Sequence, residues 1–442
     1  MKRIVILGSS IAAVKAIEAI RAKDSESQIT LFSFEGFLPY HRDLMPELVA
    51  QNILQEQIDI EPTEFYKKNS VDVILDKEFS RINFKRNKIF TEEKDQIDYD
   101  VLIVTDTPGY RFPDLKGVNK RGVFALNRLK DIDEIIKGMP FVETILIQSQ
   151  SMEGLMMALA FMKRGKEVTY VSPSSEIIPG ICNPSVSEWI QNLLTEKGLN
   201  LFLGNSISEI LGNGDVKAAR LDSGKVLAGQ MILFDEPPGD FRFCADSILS
   251  MNQKIVVNEK FRTNLENVYA LDRSCETTHP DFAHADFSDQ QVAFEQGRVI
   301  GAAICGEDIP FQHVVKKIDF ALEGVAASYM GQVSSQSDIR IIEKWDEETH
   351  KYTKAFLKGQ MLIGVILINA EQSKDIFSKW INEKTPLFQT DDLILKGVQE
   401  ETGVSEDFPA VPQSNDNLVS QEQVNIAPLT PESDTTAPQG LQ

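Results

Sequence analysis

The first thirty residues alternate between apolar runs and small polar residues in an order that predicts a βαβ unit. Residues 3–7 are almost entirely apolar, which is typical of a strand buried on both faces. Ser9 and Ser10 follow and are good helix caps, and apolar positions recur at helical spacing through residues 11–22. Residues 28–32 then indicate a second strand.

The same order returns much later in the chain. Residues 144–147 read as a strand and residues 154–163 as a helix with a dense apolar face. Gly165 follows as a C-cap glycine, and residues 167–171 read as the next strand. The pattern therefore predicts a duplicated architecture. Further elements are predicted at residues 99–104 (strand), 254–271 (strand region) and 291–304 (helix).

The last part of the chain has a different pattern. Residues 338–369 alternate as three strands, with turns at Asp346-Glu347 and Lys358-Gly359, and residues 370–382 read as a helix. These elements predict a small α+β domain. Residues 399–442 contain eight carboxylates, no Lys or Arg, and five prolines, so we expect a disordered acidic tail.

The charge balance excludes some partners. The chain has 45 Lys+Arg and 66 Asp+Glu, a formal net charge of −21. Such a surface repels phosphate backbones and anionic lipid, so we expect neither nucleic acid nor a membrane as partner. No apolar run approaches the roughly 18–20 residues of a membrane helix, and the apolar start ends in Gly8-Ser9-Ser10 rather than a cleavage site. We therefore expect a cytoplasmic protein.

Metal and dithiol chemistry lack a sequence signal. The cysteines lie far apart without a Cys-x-x-Cys pair, so neither zinc, iron–sulfur nor redox dithiol sites are predicted. His279 and His284 have no third nearby ligand of the right type. The four cysteines are Cys182, Cys244, Cys275 and Cys305.

Several short stretches match the motifs of one family. Residues 4–13 stand where that family has its first Gly-x-Gly-x-x-Gly, residues 38–42 match its LPYxR segment, and residues 99–107 align with "YDxLIIATGS". Residues 164–169 fit its second dinucleotide fold, and residues 263–275 fit the segment ending "YAAGD". Over about residues 1–395 the chain thus resembles the pyridine-nucleotide-disulfide oxidoreductases, in the branch of rubredoxin, ferredoxin and nitrite reductases. The helix that follows the last motif fits at Ala293, Gln296 and Gly297.

The resemblance implies an α/β fold with two doubly wound dinucleotide-binding domains, the second inserted in the first, plus a small C-terminal α+β domain. It also implies FAD and NAD(P)H as cofactors, a redox protein or complex subunit as partner, and a homodimer. The expected domains are residues 1–108 with 239–315 (FAD-binding type), 109–238 (inserted NAD(P)-binding type), 316–398 (C-terminal interface) and 399–442 (tail).

In such a fold, a tight glycine turn points backbone N–H groups and a helix N-terminus at the cofactor's pyrophosphate. In the first loop Gly8 remains, Ser10 replaces the second glycine and Ala13 the third. A bound flavin and a relict strand–helix turn both remain open. The resemblance places the FAD ribose on Glu35, and the expected cofactor-binding residues are Gly8, Ser9, Ser10, Ala13, Glu35, Arg42, Thr105 and Arg273.

The second loop departs further from the motif. Ser149 and Ser151 replace its first two glycines, and Gly154 is the third. Glu153 adds a carboxylate where a diphosphate needs donors, which is electrostatically unfavourable. We therefore expect that this loop does not bind NADH or NADPH with ordinary affinity.

Three more family glycines are replaced by the acids Asp106, Glu236 and Asp272, and Arg273 stands where the family has an Asp that binds the FAD ribityl chain. The redox cysteines of the disulfide reductases are absent, so no catalytic residue is predicted.

The resemblance and the replaced motif residues leave two alternative functions open. The first is FAD-dependent electron transfer, from a reduced nicotinamide or a partner subunit to an external acceptor. The second is a non-catalytic structural or regulatory subunit that kept the fold and lost its cofactors.

Overall fold

The computed structural model of the chain describes residues 1–387, apart from residues 76, 127, 178, 236–238, 245–246, 278–289, 312–316, 323–324 and 332–337. Glu236, His279, His284 and the predicted tail at 399–442 lie outside the described residues.

The helices are α1 Ile11–Arg21, α2 Met45–Val49, α3 Thr63–Lys68, α4 Leu129–Gly138, α5 Met152–Lys163, α6 Pro184–Glu196, α7 Gln290–Ile304 and α8 Lys374–Asn382. The strands are β1 Arg3–Leu7, β2 Gln28–Phe32, β3 Val71–Ile74, β4 Phe79–Asn83, β5 Lys88–Thr91, β6 Gln96–Asp98, β7 Val101–Val104, β8 Val123–Ala125, β9 Thr144–Gln148, β10 Glu167–Ser172, β11 Asn200–Leu203, β12 Ile207–Leu211, β13 Ala218–Leu221, β14 Val226–Ala228, β15 Met231–Phe234, β16 Ile255–Val256, β17 Val268–Ala270, β18 Cys275–Glu276, β19 Lys317–Leu322, β20 Val325–Gly331, β21 Ile339–Asp346, β22 Lys351–Lys358 and β23 Met361–Ile368.

The N-terminal sheet has five parallel strands in the order β17-β7-β1-β2-β3. The central strand β1 is apolar throughout its buried part because both of its faces are covered. β17 joins β7 in this sheet although more than a hundred and sixty residues separate them in sequence. The chain therefore leaves the sheet after β7, builds other structure, and returns to it.

Helices α1 and α7 pack closely together beside the N-terminal sheet. Glycines on α7 make this possible: a Cβ added at Gly297 would lie 2.6 Å from the Ala12 carbonyl oxygen, and one at Gly301 would lie 2.3 Å from Ala19 Cβ. The alanines of α1 and the glycines of α7 thus bring the two backbones closer than larger side chains would permit.

The central sheet repeats this architecture with the order β11-β10-β9-β15-β8, again parallel. β9, α5 and β10 are the second predicted βαβ unit, and α5 begins at Met152, two residues earlier than the sequence pattern indicated. Two small antiparallel sheets, β4-β5-β6 and β12-β13-β14, accompany the larger ones.

The C-terminal sheet is antiparallel with the order β19-β20-β23-β22-β21. The three predicted strands are β21, β22 and β23; β19 and β20 were not predicted. Helix α8 begins at Lys374, later than expected, because Glu371–Ser373 form a 3₁₀ turn. Phe377 and Ile381 of α8 pack into the apolar core of this sheet.

Aromatic side chains join the C-terminal sheet to helix α6. The Trp189 ring of α6 lies 5.3 Å from the Trp345 ring of β21 and stacks on the His350 ring at 4.8 Å, measured between centroids. Trp345 therefore packs against another part of the chain.

The predicted α/β fold class is confirmed by these sheets, while the domain boundaries at residues 108, 238 and 315 stay a prediction. Within the described part of the chain, no helix combines the length and the apolar character needed to cross a membrane.

Candidate functional site

The first loop, defined here as residues 8–13, joins β1 to α1 at the carboxyl edge of the N-terminal sheet. The Gly8 amide donates to the Phe32 carbonyl at 2.9 Å. Gly8 has φ +111°, and a Cβ there would lie 2.5 Å from Thr105 Oγ1 and 2.7 Å from Asp106 Cβ. Only glycine fits this position without rearrangement, because both the conformation and the space exclude a side chain.

Small polar groups order the rest of the first loop. Ser10 is the N-cap of α1, and its Oγ accepts from the Ala13 amide at 3.4 Å. Ser9 Oγ donates to Ser33 Oγ at 2.8 Å. The first turn of α1 contains no acid, so the positive end of the helix dipole carries no carboxylate from its own residues. This geometry suits a phosphate group.

A buried polar cluster lies beside the first loop. Tyr40 donates its hydroxyl to the Glu35 carboxylate at 2.9 Å and accepts from the amide of Leu129, the first residue of α4, at 3.0 Å. Arg42 Nη2 donates to Glu35 Oε1 at 3.3 Å and forms an ion pair with Asp106. Burial raises the pKa of Glu35, and the Arg42 charge opposes that rise.

Thr105 and Asp106 follow β7 directly. Thr105 is buried, and both its amide and its hydroxyl donate to the Leu7 carbonyl, at 2.8 and 3.1 Å. Asp106, at a position where the family has glycine, uses its carboxylate for Arg42. The structure therefore brings Gly8, Thr105, Asp106 and Arg42 together at one edge of the sheet.

Asp272 and Arg273 follow β17 at the same edge. Asp272 adopts φ +51°, a conformation that Asp tolerates better than most residues, and its amide donates to the Gln296 side chain at 2.8 Å. Burial raises the pKa of the Asp272 carboxyl to about 6, with the positive charges of Arg273 and Arg42 opposing it. Arg273 is half-buried, and its amide donates to Asp272 Oδ1 at 2.7 Å.

The second loop, residues 149–154, joins β9 to α5. The Ser149 amide donates to the Val171 carbonyl at 3.0 Å, which is the same backbone contact that Gly8 makes with Phe32. Ser151 is the N-cap of α5, and its Oγ accepts from the Gly154 amide at 3.0 Å. Both serine hydroxyls also donate to Asp235 Oδ2, that of Ser149 at 2.7 Å.

The sequence motif did not indicate Asp235. From the motif we expected that Glu153 places the unfavourable negative charge at the second loop. Glu153 lies in the first turn of α5, but its side chain is exposed. Asp235 follows β15 directly and is the acid that contacts the loop serines. The register of β15 with β9 indicates this contact. Because Phe234 pairs with Gln148, the residues that follow them, Asp235 and Ser149, are neighbours.

Two parallel sheets, each with a strand–turn–helix loop at its carboxyl edge, followed by an antiparallel domain, define the class of two-dinucleotide-domain oxidoreductases. The family model for pyridine nucleotide-disulphide oxidoreductase matches residues 2–285, and that for the rubredoxin NAD+ reductase C-terminal domain matches residues 324–385. The chain therefore belongs to the pyridine nucleotide-disulphide oxidoreductase family, and the expected resemblance is confirmed.

Curated relatives of the chain include a reductase and a dehydrogenase subunit. The chain is 23% identical over 412 residues to the nitrite reductase [NAD(P)H] of Bacillus subtilis, covering 91% of this chain but 50% of that protein. It is 22% identical over 391 residues to the NADH-dependent phenylglyoxylate dehydrogenase subunit epsilon of Aromatoleum evansii, covering 86% of this chain and 92% of that one. The chain spans about half the length of the Bacillus subtilis relatives that it matches.

Solved structures show the same fold. The covalent putidaredoxin reductase–putidaredoxin complex superposes with a TM-score of 0.77 at 18% identity, covering 87% of this chain and 94% of that one. A ferredoxin reductase for the CYP199A2 system from Rhodopseudomonas palustris gives 0.77 at 17% identity, covering 89% and 98%.

Proposed function

We propose that the chain is an electron-transfer oxidoreductase subunit that holds FAD on the first loop. The observation that carries this proposal is the geometry of Gly8, whose φ and close contacts with Thr105 and Asp106 are those of a tight dinucleotide turn. FAD, when bound, supplies the redox chemistry, while the protein contributes position and electrostatics. The residues that would hold it are Gly8, Ser9, Ser10, Ala13, Glu35, Arg42, Thr105 and Arg273.

The proposed partner is a redox protein or another subunit of a complex. Relatives of this chain include a protein named as the electron transfer subunit of assimilatory nitrate reductase and two named as rubredoxin-NAD(+) reductase. Such proteins exchange electrons with a partner rather than with a small substrate alone. A homodimer stays a prediction from the resemblance.

A second candidate is a non-catalytic subunit, and a specific contact favours it. Arg42, the cation of the buried polar cluster beside the first loop, is already bound to Glu35 and Asp106 of its own chain. A diphosphate would have to compete with two carboxylates for this guanidinium. If the competition fails, the loop keeps its shape without a cofactor.

Flavin content separates the two candidates. We expect the purified full chain to be yellow, or to become yellow with added FAD, and to release about one FAD per chain on denaturation. Asp106→Gly should tighten FAD binding roughly tenfold, equal to about 1.4 kcal/mol, because it frees Arg42 and removes a like charge.

Asp114→Gly, at an exposed aspartate, is the matched control and should leave FAD affinity unchanged. A wild-type chain that is colourless after incubation with excess FAD and removal of the unbound FAD by gel filtration contradicts the proposal and supports the non-catalytic candidate. Gain of flavin by Asp106→Gly alone would then identify the Arg42–Asp106 pair as the obstacle.

A further inference from the structure

The Asp235 carboxylate lies over the first turn of α5. Its Oδ2 accepts hydrogen bonds from the hydroxyls of Ser149 and Ser151. A Cβ added at Gly154 would lie 2.9 Å from the same oxygen and 2.1 Å from Ser149 Oγ. The third glycine of the loop therefore faces the chain's own serine and aspartate at close range.

Asp235 occupies the position that Thr105 has in the N-terminal sheet. Leu7 pairs with Val104, and the amide of the next residue, Thr105, donates to the Leu7 carbonyl. Gln148 pairs with Phe234 in the same way, and the Asp235 amide donates to the Gln148 carbonyl at 3.1 Å. At this register position the N-terminal sheet thus has a neutral hydroxyl and the central sheet has a carboxylate. Asp106, one residue after Thr105, is paired with Arg42.

This arrangement uses the features that would otherwise recognise a phosphate. The helix dipole favours a negative charge at the N-terminus of α5, and hydroxyl groups there are good donors to an anion. Ser149 and Ser151 already give their protons to Asp235, and the Ser149 hydroxyl also accepts from the Ser151 amide at 3.0 Å. An incoming diphosphate would meet an anion of like charge and donors that already have an acceptor.

We propose that Asp235 is an internal anion that takes the place of the nucleotide phosphate at the second loop, so that this loop binds neither NADH nor NADPH. The carboxylate closes the loop from within and ties β15 to α5. The proposal concerns the second loop alone and is independent of whether FAD occupies the first.

Calorimetric titration of the full chain with NADH and NADPH is the first test. We expect no binding by the wild type up to about 1 mM, the upper end of ordinary substrate affinities. Glu153→Gln removes the exposed acid at the same helix terminus, leaves the Asp235 contacts intact, and should not restore binding. A micromolar dissociation constant for the wild type overturns the proposal, as does restored binding in Glu153→Gln.

Anion rescue is the second test. Asp235→Ala removes the carboxylate and leaves its space, and it should lower the melting temperature. Sodium pyrophosphate should then raise the melting temperature of Asp235→Ala more than that of the wild type, both compared with sodium chloride of equal ionic strength. An equal rise in the two proteins contradicts the internal-anion role.

Asp235→Asn is the matched control because it keeps the shape, removes the charge and leaves no space for the anion, so pyrophosphate should not rescue it. If Asp235→Ala does not fold, Asp235→Ser, which also removes the charge and most of the carboxylate volume, takes its place in the pyrophosphate comparison, and an equal rise in this variant and the wild type contradicts the proposal. Flavin released from the same preparations is measured separately, so that failure of FAD binding at the first loop is distinguished from nucleotide binding at the second.

Discussion

The first and second loops follow the same backbone path but have different charged groups at the N-terminal ends of their helices. The amides of Gly8 and Ser149 make the same contact with the neighbouring strand, and Ser10 and Ser151 cap their helices in the same way. Thr105 follows the adjoining strand at the first loop, and Asp235 follows it at the second. At this equivalent register position, the first loop therefore meets a neutral hydroxyl, whereas the second meets a carboxylate that its own serines already contact.

The comparison also shows that the glycine requirement is local. Gly8 meets Thr105 and Asp106 at distances that no Cβ can occupy, whereas Ser149, at the equivalent place, carries a side chain that faces Asp235. A loop in which serine replaces glycine can therefore keep its turn if the neighbouring strand leaves space for the side chain and provides a hydrogen-bond acceptor for it.

The largest expected effect comes from Gly8→Ala. The new Cβ would combine a strained φ with contacts inside van der Waals distance of Thr105 and Asp106, so we expect a loss of about 4 kcal/mol in the free energy of unfolding. Urea denaturation followed by circular dichroism measures it. Gly165→Ala, where a Cβ meets no atom within 4 Å, controls for positive φ alone. Equal losses of stability in the two variants would show that the close contacts of the Gly8 position with Thr105 and Asp106 add nothing to the effect of positive φ.

The next effect concerns pH and Asp272. Burial raises the folded-state pKa of this carboxyl from 3.8 to about 6, so the folded chain binds the proton more tightly than the unfolded chain. Its contribution therefore makes the protein less stable as pH rises from about 4 to about 6, by about 3 kcal/mol, and stays constant above. Asp272→Asn should become more stable than the wild type by that amount across this window.

Denaturation midpoints measured at pH 4, 5, 6 and 7 test this expectation. Asp222→Asn, at an exposed turn, controls for the replacement of an aspartate by asparagine. If the difference in stability between Asp272→Asn and the wild type does not grow between pH 4 and pH 6, the folded-state pKa of Asp272 is not raised and the expectation is wrong.

The smallest effect compares the two caps. Ser10→Gly should cost a few tenths of a kcal/mol, because glycine is tolerated at an N-cap. Ser151→Gly removes the same kind of cap together with a hydrogen bond to the Asp235 carboxylate, so we expect a loss of about 1.5 kcal/mol. Both are measured in the same denaturation assay, and similar losses would mean that the contact with Asp235 contributes little to stability.

Much of the fold could be predicted from the periodicity of the chain. β1, α1, β2, β9, α5 and β10 lie within two residues of their predicted positions because each has a strong apolar pattern and a clear cap. β19 and β20 were missed; β20 contains two alanines and a glycine, which are depleted in strands and weaken its pattern. The late start of α8 reflects a 3₁₀ turn that propensity does not distinguish from a helix.

The candidate site was only partly predictable. The first loop follows from local sequence, since Gly8, Ser10 and Ala13 are consecutive parts of one turn. Two contacts of the site join residues that are far apart in the chain: the ion pair of Arg42 with Asp106 and the contact of Asp235 with Ser149. A local sequence motif does not predict such contacts. Strand register does encode the second of them, because it fixes which residues follow two paired strands.

Tyr40 limits how independently the inserted region can be exchanged between proteins. Its hydroxyl accepts from the amide of Leu129 at the start of α4, where Arg128 offers no capping side-chain bond, while it donates to Glu35 on the other side. If the predicted inserted domain, residues 109–238, were transplanted as a module, α4 would begin with that amide lacking the Tyr40 acceptor. The inserted region is therefore less portable than its separate sheet suggests.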